Sequence, residues 1–156
     1  MDALYDALET YLEGKTALSD QDDLILHCAG HGRITDSDKP VPKPQFATIE
    51  ARADSNQGWL EYEALLTFMR QIRARHIFLI SDACFSGALF QNAPQRFPSQ
   101  TSYLELQNKP SRYILTSGGF EPVDDASFPN KGEAARQSVF NWALCESLSQ
   151  YEGAYS

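Results

Sequence analysis

Three short apolar runs along the chain predict strands, at residues 24–29, 77–81 and 113–117. Each run stops at small residues, which is typical of a strand that ends at a turn. In the second run apolar side chains occupy consecutive positions, so we expect that strand to be buried on both faces of a sheet. We expect the first run to form a buried strand as well.

Apolar residues at helical spacing predict three helices, over residues 2–13, 59–73 and 139–150. Gly14 follows the first helix as a stop signal, and Ser138 is the expected N-cap of the last one. The residues of the last helix that we expect to face inward are Phe140, Ala143, Leu144 and Leu148.

The segments between these elements carry loop signals. Residues 33–45 hold three prolines and several charged residues, which predicts an exposed loop. Residues 46–51 fit a short strand or one arm of a hairpin, and residues 54–58 fit a turn. Residues 88–111 are polar and rich in Gln, Pro and Asn, so we expect a mobile segment there.

Strands that alternate with helices predict a single α/β domain over residues 1–156, with a parallel sheet covered on both faces. In such sheets, ligands bind beyond the carboxyl ends of the strands. His31 follows the first strand, Cys84 follows the second, and the turn at residues 117–119 ends the third. We therefore expect these groups at one edge of the sheet.

Composition and charge exclude several classes of function. The 156-residue chain has a formal net charge of −8, which argues against general nucleic-acid binding because that needs clustered positive charge. It has no apolar run near the roughly 18 residues of a membrane span, and no basic and apolar leader. Its three cysteines are odd in number and have no paired spacing. We therefore expect a cytoplasmic protein with reduced thiols that contacts neither nucleic acid nor membrane.

His31 and Cys84 stand at the tips of the first two predicted strands, 53 residues apart. A thiol beside an imidazole is the minimal apparatus for nucleophilic acyl transfer, because the imidazole takes the thiol proton. A thiol of ordinary pKa is ionised only to a small extent at neutral pH and needs such help. The sequence therefore predicts a cysteine nucleophile with a histidine partner.

The two motifs resemble those of the caspase-like cysteine peptidases, the group of caspases, metacaspases, paracaspases and their bacterial relatives. In that group a His-Gly pair follows a small residue after one strand, as at residues 30–32. Asp-Ala-Cys or Asp-Ser-Cys with a following Ser-Gly ends another strand, as at residues 82–87. The histidine precedes the cysteine by about 50 residues in caspases. Asp82 makes the match closer to metacaspases and bacterial homologues than to animal caspases, which have Gln there.

The resemblance implies a caspase-like three-layer α/β/α sandwich around a mainly parallel sheet. The family domain usually opens with a further strand, helix and strand before the histidine strand, and it normally continues past the last helix. We therefore expect this chain to be a shortened variant or a fragment, truncated at the N-terminus. By the same resemblance, residues 88–111 match the region between the large and small portions of the family.

The resemblance also implies the catalytic roles. Cys84 is the nucleophile, and His31 is the general base and acid that carries the thiol proton to the leaving amine. The oxyanion of the tetrahedral intermediate is held by the backbone N–H groups of Gly32 and Cys84.

Asp82 is the acid that we expect to select the substrate. It lies two residues before Cys84, and on a strand the two side chains point to the same side. In metacaspases and paracaspases the matching Asp lines the S1 pocket and selects Arg or Lys; the alternative for Asp82 is a cap on the following turn. Arg33 keeps open the opposite specificity, because animal caspases use arginines to bind an acidic residue. The candidates for a second pocket acid are Asp124, which we place first, Glu121 and Asp125.

The remaining cysteines and histidines indicate packing rather than chemistry. Cys28 lies three residues before His31 and turns to the opposite face of its strand, so we expect it in the core. Cys145 falls near the apolar side of the last helix, where we also expect core. His27 and His76 have no partners at metal-ligand spacing, so we expect no zinc site and no cofactor. The sequence leaves a calcium requirement open.

These features predict a cysteine endopeptidase that cleaves protein or peptide substrates after Arg or Lys. Bacterial relatives act in signalling, cell death or antiphage defence, often fused to a sensor module, so the resemblance implies regulated proteolysis and a sensor or regulatory partner. Two other hypotheses stay open. One is a catalytically inactive interaction module on the same scaffold, and the other is a cysteine hydrolase that acts on a non-peptide acyl or amide bond.

Overall fold

The computed structural model describes residues 18–35, 42–90, 108–119 and 138–150, together with Asp6 and Thr10. This part of the chain forms an α/β fold with six strands in two three-stranded sheets, two α-helices and a short 3₁₀ helix. In chain order the elements are β1 (Asp23–Ala29), β2 (Gly32–Thr35), β3 (Lys43–Ala47), β4 (Trp59–Glu61), α1 (Tyr62–Gln71), β5 (His76–Asp82), the 3₁₀ helix (Ser86–Phe90), β6 (Ser111–Thr116) and α2 (Val139–Gln150).

The three predicted strands form a parallel sheet in the order β1-β5-β6. The register aligns Leu26 with Leu79 and Leu79 with Ile114, so the three apolar runs lie side by side. β5 is the central strand, and the side chains on both its faces are largely buried, as its consecutive apolar residues predict. The α/β class and the three strands are therefore confirmed.

The core lies between α1 and one face of the parallel sheet. Leu65 of α1 belongs to the same buried cluster as Ile77 and Leu79 of β5. Removal of this apolar surface from water holds α1 on the sheet, at about 25 cal/mol for each Å² buried. The buried members of the cluster are Leu60, Tyr62, Leu65, Met69, Ile72, Ala74, Ile77, Leu79 and Leu89.

The starts of the two helices meet neighbouring residues at the end of β5. Tyr62, at the start of α1, has its hydroxyl 3.4 Å from the hydroxyl of Ser81. Ser138, directly before α2, donates a hydrogen bond to Asp82. Successive residues of a strand point to opposite faces of its sheet. The starts of α1 and α2 therefore lie on different sides of the sheet.

β1 is an end strand of the parallel sheet within the described residues, and only one of its faces packs on the core. Leu24, Leu26 and Cys28 are half-buried against the core, whereas Ile25 is 68% exposed. The expectation of a buried strand is therefore wrong for the outer face of β1. A continuous apolar run does not reveal which faces of a strand the neighbouring elements cover.

Residues 33–45, predicted as an exposed loop, contain most of β2 and the start of β3, which pair antiparallel. The Ala47 N–H donates to the His31 carbonyl at 2.8 Å, which sets the alternation of the ladder and leaves Pro44 and Ile34 as a non-hydrogen-bonded pair. Since the missing N–H of Pro44 costs this ladder no hydrogen bond, the proline does not exclude a strand here.

The stretch predicted as one helix over residues 59–73 is divided between β4 and α1. Leu60 pairs with Phe46 of β3, so Trp59–Glu61 joins the second sheet and α1 begins only at Tyr62. Pairing with a strand more than ten residues away decides this boundary. The helical spacing of the apolar residues does not reveal where the strand ends and the helix begins.

The N-terminus of α2 is confirmed where the sequence predicts it. The Ser138 side-chain oxygen accepts a hydrogen bond from the Asn141 N–H at 3.0 Å, which is the geometry of an N-cap. The Trp142 N–H donates to the Ser138 carbonyl at 3.0 Å and starts the helical ladder.

The predicted inward face of α2 is wrong, since no residue of this helix is buried. Phe140 and Leu144 are half-buried, whereas Ala143 is exposed and Leu148 is 50% exposed. Cys145 is also exposed, which overturns its expected place in the core. The helix is anchored at its first residues and packs little along its length.

Some sequence predictions lie outside the described residues. Of the predicted first helix, the structure describes Asp6 and Thr10, which are both helical. Residues 91–107 of the predicted mobile segment are also outside. Of the helices in the described part of the chain, none has the length and apolarity to cross a membrane.

Arg112 of β6 ties the parallel sheet to the C-terminal end of α1. Its guanidinium donates hydrogen bonds to the carbonyls of Met69 (3.1 Å), Ile72 (2.9 Å) and Arg75 (3.2 Å). The last carbonyls of a helix lack intrahelical donors and carry partial negative charge, so a cation there is favourable.

We expect Arg112→Met to lower the free energy of unfolding by about 1–2 kcal/mol, because these carbonyls lose a charged donor. The matched control is Arg70→Met, which removes an exposed ion pair with Glu63 at 3.0 Å. The control should change the free energy by less than about 0.5 kcal/mol. Urea unfolding measures both variants, and equal effects would contradict the anchoring role of Arg112.

Candidate active site

His31 and Cys84 lie at the same edge of the parallel sheet, just past the carboxyl ends of β1 and β5. The register pairs Ala29 with Asp82, and the Gly30 N–H continues it by donating to the Asp82 carbonyl at 3.0 Å. His31 is the next residue and is exposed; Cys84 follows two residues after Asp82 and is half-buried. The pairing of two strands therefore brings both motifs to one place.

The backbone of Gly32 touches the backbone of Cys84. A Cβ placed on Gly32 would lie 2.0 Å from the Cys84 carbonyl oxygen and 3.0 Å from its carbonyl carbon. Atoms do not approach so closely, so the close approach of the two segments requires glycine at this position. The segment that carries the histidine is thus packed directly on the turn that carries the cysteine.

The Gly32 N–H is left out of the ladder between β2 and β3. His31 and Ala47 form a hydrogen-bonded pair, since the Ala47 N–H donates to the His31 carbonyl. Such pairs alternate with non-hydrogen-bonded pairs along an antiparallel ladder, and Gly32 faces Phe46 in the next pair. The Gly32 N–H therefore points away from β3, where it can meet an acceptor outside that ladder.

The turn after β5 holds Cys84 beside a constrained backbone. Phe85 has a φ of +61°, in the left-handed region that bulky residues seldom adopt and that costs on the order of 1 kcal/mol or more. The Gly87 N–H donates to the Gly119 carbonyl at 3.0 Å, which ties this turn to the turn after β6. As expected, the ends of all three parallel strands meet around the cysteine turn.

Tyr62 belongs to the buried core, and its hydroxyl contacts that of Ser81, near the end of β5. Burial raises the pKa of the Tyr62 hydroxyl; its contact with Ser81 opposes the rise, and the negative charges that Cys28 and Cys84 would carry add to it. A neutral phenol is therefore within electrostatic range of both thiols. No sequence motif marks Tyr62, because it is a polar residue among helix-forming ones.

Asp82 is mostly buried and is bonded to the N-terminus of α2. It is 9% exposed, and its Oδ2 accepts a hydrogen bond from the Ser138 hydroxyl. The structure gives it no ion pair with any described residue, and an anion near the first turn of a helix is electrostatically favourable. Asp82 and Cys84 do not share one strand as expected, because β5 ends at Asp82 and Cys84 lies beyond it.

The Arg33 guanidinium is already bound by residues of the second sheet and the adjoining turn. Its guanidinium donates to the side chains of Gln45 (2.9 Å) and Asn56 (2.7 Å) and to the Ser55 carbonyl (3.2 Å). Its Cζ also lies 4.0 Å from the ring centre of Trp59. These contacts occupy guanidinium N–H groups that would bind an acidic substrate residue. They therefore disfavour the alternative in which Arg33 selects acidic substrates.

The other predicted residues take structural positions or fall outside the described part of the chain. Cys28 packs against the core, as expected, and burial raises the pKa of its thiol. His76 contacts Asp23 at 2.8 Å, and His27 is exposed. Within the described ranges, no three His, Cys, Asp or Glu side chains are arranged to hold a metal ion. The second pocket acids, Asp124, Glu121 and Asp125, lie outside those ranges.

Comparison with known proteins adds no relative. No protein-family model, no curated protein and no solved structure matches this chain. Its function is therefore inferred from its residues and their geometry.

The contact between Gly32 and Cys84 leads to a direct prediction. Gly32→Ala should lower the free energy of unfolding by about 1–3 kcal/mol, because the new methyl group forces the two segments apart. Gly119→Ala is the matched control, since a Cβ there meets nothing within 4 Å and should change stability by less than about 0.5 kcal/mol. Urea unfolding compares the two. Equal stability of both variants would show that the two segments are not in contact.

Proposed function

We propose that this chain is a cysteine endopeptidase of the caspase-like group, with Cys84 as nucleophile and His31 as general base. The observation that carries the proposal is the backbone contact of Gly32 with Cys84 at the carboxyl edge of two adjacent parallel strands. It supports the proposal because a nucleophile and its base have to share one rim of a cleft. Helices on opposite sides of the sheet are compatible with the three-layer sandwich of that group.

The proposed reaction proceeds by acyl transfer. His31 takes the proton of the Cys84 thiol, and the sulfur forms a bond to the carbonyl carbon of the scissile peptide. The carbon–nitrogen bond then breaks, and His31 gives its proton to the leaving amine. Water hydrolyses the thioester, with His31 again accepting and returning a proton, and the thiol is restored.

The proposed oxyanion donors are the N–H groups of Gly32 and Cys84. The ladder alternation that turns the Gly32 N–H away from β3 supports this role, since a donor used by a neighbouring strand could not bind the oxyanion. Fixed backbone donors are effective because they need no reorganisation when the charge develops. The constrained turn at Phe85 supports the same role by holding the backbone that follows Cys84.

The proposed specificity for Arg or Lys rests on Asp82. A mostly buried carboxylate normally has a cationic partner, yet the described residues give Asp82 only the Ser138 hydroxyl. A basic side chain of the substrate is a partner that would complete this site. We further propose, from the resemblance, that the peptidase acts in regulated proteolysis in the cytoplasm under a sensor or regulatory partner.

An active-site probe tests the enzyme. The probe is a peptide with Lys before an acyloxymethyl ketone, applied to a Cys145→Ser background because Cys145 is exposed and would react. We expect one label, located on Cys84 by mass spectrometry, and none after Cys84→Ala. His31→Ala should lower kcat/KM on a matching peptide by about 100-fold or more, whereas His27→Ala, which removes an exposed histidine of β1, should leave it unchanged.

The outcomes separate the three hypotheses. Labelling together with cleavage of the matching peptide supports the endopeptidase. A reactive Cys84 that labels without cleaving any member of a peptide library supports a hydrolase of non-peptide bonds. A folded protein that neither labels nor cleaves is an interaction module, and the proposal is then wrong.

The proposed pocket has its own test. Asp82→Asn keeps the side-chain shape and an acceptor for Ser138 but removes the charge, so kcat/KM for substrates with Lys or Arg should fall at least about tenfold. The rate at which iodoacetamide alkylates Cys84 should not change. Asp54→Asn, which removes an exposed carboxylate from a turn, is the control. An unchanged preference for basic residues in Asp82→Asn would contradict the pocket assignment.

A further inference from the structure

We infer that Ser138 makes the proposed pocket select Lys over Arg, an inference that rests on the proposed function. Ser138 stands directly before α2, and its hydroxyl is the one described contact of the Asp82 carboxylate. The sequence assigns it only a capping role. Its position gives it a second one, because it controls how much of Asp82 a substrate cation can use.

The Ser138 hydroxyl cannot turn away from Asp82 without losing a hydrogen bond. Its oxygen accepts the Asn141 N–H at 3.0 Å as the cap of α2, and its single proton is donated to Asp82 Oδ2. A hydroxyl has one proton and a side-chain carboxylate has none, so the direction of this bond is fixed. If another donor displaced the hydroxyl from Oδ2, its proton would be left without an acceptor in a half-buried position.

The two oxygens of Asp82 are therefore not equivalent acceptors. Oδ2 already accepts the hydrogen bond from Ser138 on one of its lone pairs, whereas no described residue donates to Oδ1. Only 9% of the residue is exposed, so the accessible part of the carboxylate is small. A ligand that enters from solvent therefore meets Oδ1 as the stronger acceptor, beside an oxygen that is already hydrogen-bonded to Ser138.

Lysine and arginine use such a site differently. An ammonium is a compact point charge, and one carboxylate oxygen satisfies its main contact. A guanidinium is a planar fork whose preferred partner is a whole carboxylate edge with both oxygens free. Because Ser138 already occupies one lone pair of Oδ2, the second hydrogen bond of an arginine fork is weakened, and lysine does not need that bond. We therefore expect cleavage after Lys to exceed cleavage after Arg by about tenfold in kcat/KM.

The test compares two peptides that differ only in Lys or Arg before the scissile bond. The measured quantity is the ratio of their kcat/KM values, which does not depend on the fraction of active enzyme. Ser138→Gly removes the hydroxyl while glycine still serves as an N-cap, so the helix should remain and the ratio should shift toward Arg by about tenfold. Ser138→Thr restores a hydroxyl and should restore the preference for Lys. Ser138→Ala is a second hydroxyl-free variant should the Gly variant fail to fold.

The outcomes distinguish this inference from the proposed function. A wild-type protein that cleaves both peptides equally, or a ratio that does not move in Ser138→Gly and Ser138→Ala, overturns the inference and leaves the peptidase intact. A wild-type protein that cleaves neither peptide overturns both. A shift in the hydroxyl-free variants that Ser138→Thr reverses supports the role of Ser138, which a purely structural cap would not produce.

Discussion

The parallel pairing of β1 with β5 is the constraint on which the candidate site depends. Its register places Ala29 opposite Asp82 and continues through the bond from the Gly30 N–H, so His31 and Cys84 leave the sheet side by side. The side-chain period of a strand is two, so a slip of one residue would turn each inward side chain of β1 outward. The leucines of β1 that pack on the core oppose such a slip. Apolar packing thus fixes the position of polar groups that contribute nothing to the core.

Close backbone contacts then refine what the strand pairing begins. Gly32 lies against the Cys84 carbonyl, and Gly87 is bonded to Gly119, so the ends of three strands are joined through positions without side chains. Phe85 is held in a left-handed conformation between these contacts. Strain of this kind persists only where the surroundings impose it, and such positions cluster at functional sites. This strain supports the interpretation of the cysteine turn as a catalytic element, independently of any relative.

Within the described residues, the charged side chains of Asp82 and Arg33 have different surroundings. Asp82 ends the central strand, is mostly removed from water, and meets the N-terminus of α2 through Ser138. An anion is favoured near a helix N-terminus, where the backbone carries partial positive charge. Arg33 shows the opposite arrangement, because its guanidinium is surrounded by acceptors and an aromatic ring within the second sheet. Asp82 and Arg33 therefore differ in their surroundings, and their positions in the sequence do not reveal this difference.

The sequence by itself determined the features that short-range chemistry dictates. The apolar runs located the three parallel strands, the Ser138 cap located the start of α2, and the His-Gly and Asp-Ala-Cys motifs located the strand ends that carry the candidate site. Only the tertiary structure decided that β2, β3 and β4 form a second sheet in that order, that Ile25 and Cys145 face solvent, and that Asp82 bonds to Ser138. This difference between what the sequence and the tertiary structure determined has one physical reason. Periodicity and capping report interactions within a few residues, whereas strand partners, covered faces and contacts across 56 residues depend on how distant segments pack together.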